Sequence, residues 1–199
     1  MGKILAINGS YRDDGITDQV VAKMLRILNA AGTETEVISL RDYPVEFCHN
    51  CRQCTQAPGD TPGKCVLDDG MQELIDKIEQ ADGYILASPV NFGSVTAVFK
   101  RFMERLIVYA YWPWGVNTPR FRKQGVAQKK AVLVSSCAAP GILGRWIFGS
   151  HKQLKMTARV IGAGTVGTIF TGLSSREAHP GLPEQVEKKA RALVAKLVL

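Results

Sequence analysis

The sequence predicts an α/β fold: a doubly wound, five-stranded parallel sheet with helices on both faces. Five short runs are apolar and rich in β-branched residues, segments with helical spacing separate them, and the two kinds alternate along the chain. Strands this apolar suit a parallel sheet covered on both sides.

The first strand is Lys3–Asn8. A helix follows over 17–30, with Val20, Val21, Met24, Leu25 and Leu28 on one face, and then a strand over 35–40. The spacing of Leu74, Ile75 and Ile78 predicts a helix over 71–80, before a strand over 83–88. Val95, Val98, Phe99, Phe102 and Leu106 mark a helix over 94–108. Strands over 131–136 and 166–170 flank a helix over 149–159, and Val186, Ala190, Leu193 and Leu197 recur in a last helix over 183–197. Two irregular stretches, a cysteine-rich one at 44–69 and an aromatic one at 109–128, exceed ordinary connection lengths and point to function or an interface. The glycines at 162, 164 and 167 imitate a dinucleotide fingerprint, but a helix precedes them and a strand follows. That inverts the required order and makes them a helix-to-strand turn.

At 199 residues the chain is most simply one domain over 1–199. Apolar residues at 46% with charged residues at 22% argue against disorder. No apolar run approaches the ~18–20 residues needed to span a bilayer, so no membrane association is expected. The chain enters a strand at once without a cleavable signal pattern, which predicts a cytoplasmic location. The net charge of +7 is spread over several segments. The cluster of Arg120, Arg122, Lys123, Lys129 and Lys130 has Phe121 as its one interleaved aromatic and matches no nucleic-acid module. No nucleic-acid partner is therefore expected; a solvated loop is the plain reading of the cluster, and attraction of an anionic cofactor or redox partner the sharper one.

Doubly wound sheets bind ligands beyond the carboxyl ends of their strands, which selects the loops 9–17, 88–94 and 136–144. The first reads Gly9-Ser10-Tyr11-Arg12-Asp13-Asp14-Gly15-Ile16-Thr17. A helix N-terminus with unpaired N–H groups, the Ser10 and Thr17 hydroxyls and the Arg12 charge together predict a phosphate site. Thr17 also suits a helix cap. No Lys-Ser or Lys-Thr follows a glycine as a nucleotide triphosphate loop requires. The second loop, Ser88-Pro89-Val90-Asn91-Phe92-Gly93-Ser94, is a stiffened turn able to line a flat aromatic ring.

These two loops, with Cys48-x2-Cys51-x2-Cys54 between them and Cys65 beyond, resemble the flavodoxin-like NAD(P)H-dependent FMN reductases and their relatives, the iron–sulfur flavoproteins. The resemblance covers about 3–105 well and the remainder in topology. It implies strand order 2-1-3-4-5, with Ser10, Arg12, Gly15, Ile16 and Thr17 around the phosphate of FMN. Pro89, Val90, Asn91, Phe92 and Gly93 would hold its ring, and 136–139, led by Ser136, would edge the same pocket. Two residues depart from the family pattern: Ile16 stands where Asn is common, and Asn91 where an aromatic is usual. The implied activity takes a hydride from NAD(P)H and passes electrons to a small acceptor such as a quinone, flavin, metal ion or oxygen. No nucleophilic or acid–base set stands out, so no catalytic side chain is assigned; Asp68 and Asp69 suit a cap on the second helix.

The spacing Cys48-x2-Cys51-x2-Cys54-x10-Cys65 leaves two readings open. Its first three cysteines match the opening of a ferredoxin-type cluster run. Free thiols are the other reading, with zinc weaker because zinc favours two separated pairs. The iron–sulfur flavoproteins imply a [4Fe-4S] cluster on these four residues and a ferredoxin-like partner, although their last gap is typically shorter. The aromatics of 109–114 predict a lid over the flavin or a subunit interface, and a homodimer or homotetramer.

Overall fold

The computed structural model describes residues 2–123, 125, 129–173 and 180–198. Five parallel strands form its sheet in the order β2-β1-β3-β6-β7: β1 (Lys3–Asn8), β2 (Glu34–Ser39), β3 (Gly83–Ala87), β6 (Lys129–Ser136) and β7 (Ala163–Thr171). Counting these five alone, the order is the expected 2-1-3-4-5. A separate antiparallel pair, β4 (Ala110–Tyr111) with β5 (Arg120–Phe121), lies in the aromatic stretch. Its strands of two residues are too short to leave an alternating pattern.

Strand alternation divides the core. Leu5, Ile7 and Leu86 face one side with residues of α2 (Met71–Gln80), α3 (Ala97–Arg105) and α5 (Ser150–Val160). Ile4, Ala6 and Ile85 face the other with α1 (Ile16–Ala30) and α6 (Glu184–Val198). Among the described residues no helix is long and apolar enough to cross a membrane.

Three expectations shift. The helix expected over 94–108 is shorter, because 91–94 make a tight turn and Thr96 caps α3 by accepting from the Phe99 amide; a 3-10 turn follows over Leu106–Tyr109. The last strand is longer than 166–170 and bulged: Ala131 pairs with Thr165 and Val132 with Gly167, which leaves Val166 as the extra residue. A helix not expected at all, α4 (Gly141–Ile147), carries two glycines, which weaken any helical signal. Gly162, at φ +82°, turns the chain from α5 into β7, as the inverted glycine pattern predicts. Of the aromatic stretch, 124 and 126–128 lie outside the described residues.

Candidate functional site

The strand order reverses between β1 and β3, and the predicted loops converge there. The Gly9 amide donates to the Ala87 carbonyl at 2.8 Å, and Thr96 Oγ1 donates to the Gly9 carbonyl at 2.7 Å. A Cβ on Gly9 would stand 2.8 Å from Phe99 Cβ, so only glycine lets the loop leave β1 this close to α3. Ser10 is buried, and its hydroxyl folds back on the loop, donating to the Arg12 carbonyl and accepting from the Arg12 amide. Arg41, two residues past the end of β2, holds the outer rim through the Tyr11 carbonyl and an ion pair with Asp13.

Neither hydroxyl caps α1. The cap position is Gly15, without a side-chain hydrogen bond. Thr17, expected as a capping group, instead shares a buried 2.9 Å hydrogen bond with Ser136 at the end of β6. The amides of Ile16, Thr17 and Asp18 therefore have no hydrogen-bond partner among the described residues. Arg12 is exposed, and its stem crosses Gly15, with Cδ 3.5 Å from where a Cβ would be. An open helix N-terminus beside an exposed guanidinium is a fitting receptor for an anion.

The second loop closes over the third. The Ser88 amide donates to the Val134 carbonyl at 3.0 Å, and the Val90 amide to the Ser136 carbonyl at 2.7 Å. Ser136 thus ties Thr17 to Val90, which joins all three loops. Pro89 and Val90 are half-buried. Asn91 and Ser94 exchange backbone hydrogen bonds of 2.9 and 3.1 Å around Phe92 and Gly93, whose φ angles are +50° and +79°. Both central residues lie in the left-handed region, as a type I′ turn requires, and only the glycine takes it without strain. The Phe92 ring stands wholly in solvent, at 106% exposure, so it is not a core residue. From α5, Gln153 Oε1 accepts from the Ser94 hydroxyl and the Val95 amide, fixing the turn's far end.

The cysteines gather elsewhere. Cys48, Cys51, Cys54 and Cys65 line one small cavity with Arg52 and Arg105. Burial, then the nearby Cys65, Cys48 and Cys51 thiols, push the Cys54 thiol up to about 11. Asn50 and Arg52 are both left-handed, at φ +52° and +59°, and the Asn50 amide donates to Cys48 Sγ at 3.4 Å. The Arg105 Nη2 donates to Cys65 Sγ at 3.4 Å. Among the described residues, no three or more His, Cys, Asp or Glu stand ready to hold a metal ion. A single ion needs its sulfurs about 2.3 Å from one point, whereas a cluster gives each thiolate its own iron.

Asp69 accepts from the Met71 amide, as an α2 cap would, but also pairs with the buried Arg105. Burial opposes ionisation of its carboxyl; the Arg105 guanidinium and the Glu46 and Met71 amides outweigh this and hold it below the usual value. The aromatic stretch packs on the cysteine loop. The Arg52 guanidinium lies 3.8 Å from the Trp112 ring centre and 4.4 Å from that of Trp114, and it donates to the Trp112 and Pro113 carbonyls. A groove of about 600 Å³, lined by Met103, Ile107, Phe121 and Met156, runs between α3 and α5 from Gln153 to Cys48.

The family model described as NADPH-dependent FMN reductase matches residues 2–175. An iron–sulfur flavoprotein of Methanocaldococcus jannaschii is 40% identical over 103 residues, 52% of this chain and 51% of that protein. One of Archaeoglobus fulgidus is 33% identical over 111 residues, 56% of this chain and 48% of that protein. The chain spans about half the length of these curated relatives. A solved FMN-dependent NADH-azoreductase from Bacillus anthracis shares the fold, with a TM-score of 0.71 at 14% identity over 99% of this chain and 100% of that one. The family match, covering all three converging loops and all five strands, places this chain in the NADPH-dependent FMN reductase family.

Proposed function

We propose that this chain is an FMN-dependent oxidoreductase that draws electrons from NAD(P)H and delivers them to a small acceptor. The observation that carries the reading is the uncapped N-terminus of α1, held in place by the Thr17–Ser136 bond. Three free amides and Arg12 would hold the FMN phosphate there, charge-assisted and without a side chain from Ile16. Ser10 shapes the loop from within. The backbone of Pro89, Val90, Asn91 and Gly93 would border the flavin ring, with Phe92 free to cover it. Bound FMN would supply the hydride chemistry, which belongs to the cofactor; the chain binds, orients and shields it. Anaerobic mixing of the FMN-loaded protein with NADPH or NADH tests this: bleaching of the flavin absorbance supports it, and an unchanged spectrum with both reductants refutes it. Reoxidation by quinones, free flavin, ferric ion and oxygen would then rank the acceptors.

A second reading is favoured by the four thiols around one cavity and by the iron–sulfur relatives. Here Cys48, Cys51, Cys54 and Cys65 hold a [4Fe-4S] cluster, which would supply one-electron transfer with a ferredoxin-like partner. A donor set of four thiolates fits. So do the Asn50 amide and Arg105 donating to sulfur, and the left-handed residues flanking Cys51, a backbone form that gathers N–H groups around anions. Iron and sulfide analysis after anaerobic purification decides it, with less than one cluster per chain after reconstitution counting against it.

A homodimer or homotetramer is part of the proposal. α4 leaves Ile142, Leu143, Trp146 and Ile147 all more than half exposed, an apolar surface suited to another copy.

A further inference from the structure

The cysteine loop carries ten residues between Cys54 and Cys65, and closing so long a segment costs conformational entropy. One side chain holds both of its ends. Arg105, at the end of α3, is 1% exposed. Its Nη1 donates to the Glu46 carbonyl at 2.8 Å, two residues before Cys48, and to Asp69 Oδ2 at 2.5 Å. Its Nη2 donates to Asp69 Oδ1 at 3.0 Å and to Cys65 Sγ at 3.4 Å. Asp69 completes the clamp by accepting from the Glu46 amide at 2.8 Å.

A clamp built for folding alone would leave no donor idle. Buried polar atoms are nearly always paired, and burying an ion pair is rarely a net gain in stability. Yet Arg105 lines the thiol cavity with its Nε buried and without a hydrogen-bond partner among the described residues. One of its other donors is already directed at a thiol sulfur.

We infer that Arg105 is a positioning residue for the four-thiol centre: it sets Cys65 against Cys48 across the long gap and places a cationic N–H donor on the fourth ligand's sulfur. The inference rests on the cluster reading. A cationic donor to a ligand sulfur favours the more negative, reduced state, so it raises the reduction potential. Lysine at 105 keeps the charge beside Asp69 but lacks the planar fork that reaches Glu46, Asp69 and Cys65 together.

The test compares the full chain with Arg105→Lys and with the double variant Arg105→Gln/Asp69→Asn, which leaves no unpaired buried charge. Each is reconstituted anaerobically with ferrous iron and sulfide. Melting temperature, iron and sulfide per chain and cluster midpoint potential are measured. The expected result is folded variants, with R105K keeping its cluster at a midpoint lowered by a tenfold change in the one-electron equilibrium, about 59 mV. The double variant should lose at least half its iron. Variants that load fully at the wild-type potential would overturn this inference and leave the cluster reading intact. A wild-type chain that takes up no cluster would overturn both. If neither variant folds, Arg105 belongs to the fold alone, and the inference is wrong.

Discussion

The Thr17 and Ser136 hydroxyls share a 2.9 Å hydrogen bond across 119 positions of sequence, with both side chains buried. This bond fixes the start of α1 against the end of β6, and so the first loop against the third. Thr17→Val keeps the shape and removes the hydroxyl, leaving Ser136 Oγ unpaired. A buried group left without its partner costs about 1–3 kcal/mol. The expected outcome is a melting temperature lower by several degrees and FMN affinity weakened about tenfold, read from flavin fluorescence during titration.

Phe92 pairs a left-handed backbone with a fully exposed ring, so the chain's own packing gives no reason for it. Non-glycine residues held there store about 1–3 kcal/mol. Phe92→Gly should therefore hold or raise the melting temperature while lowering the rate of flavin reduction by NAD(P)H several-fold. A marked loss of stability without a kinetic effect would make Phe92 a structural residue.

The exposed face of α4 predicts self-association. Trp146 is 84% exposed, and Trp146→Glu places a charge on that face without touching the core. Sedimentation at micromolar concentration should show a dimer or tetramer for the natural chain and a smaller species for the variant. A monomer in both cases refutes the interface.

His151 gives the fold a pH dependence. Burial, helped by Arg145 and Lys155, holds its imidazole below the ordinary value, while Nε2 lies 3.1 Å from Thr168 Oγ1. The unfolded chain then binds the proton more readily than the folded one, so stability rises with pH. The contribution is complete above about pH 6.5, the unfolded value, and is lost as pH falls through the depressed folded value. Urea midpoints at pH 7.5 and 5.5 should differ, and His151→Gln should flatten the difference.

Much of this site was legible because its parts are local. Gly9, Ser10, Arg12 and Thr17 sit within one strand-to-helix turn, and Pro89–Gly93 within another, so spacing alone placed them at the carboxyl ends of β1 and β3. What the hydroxyls bond to was not legible. Thr17 reads as a cap because threonine commonly caps helices, yet its partner comes from 119 positions away. The supports supplied from a distance share this property. Gln153 holds the second loop across 58 and 59 positions, and Arg105 reaches Cys65 across 40. Nothing in their local sequence separates them from ordinary surface residues of an amphipathic helix. The aromatic stretch reads as a flavin lid or an interface because its composition is unusual, and its sequence gives no sign that Arg52 lies over two of its tryptophan rings.

The central claim is that the open N-terminus of α1 receives a flavin monophosphate. Calorimetric titration of the flavin-free protein with FMN and with riboflavin, for the natural chain and for Arg12→Ala, tests it most directly. A charge-assisted hydrogen bond contributes about 1.5–3 kcal/mol, at about 1.4 kcal/mol per tenfold in affinity. The account predicts one FMN per chain, riboflavin weaker by at least about tenfold, and an Arg12→Ala variant that loses about tenfold for FMN and little for riboflavin. Equal affinity for FMN and riboflavin in the natural chain would contradict it.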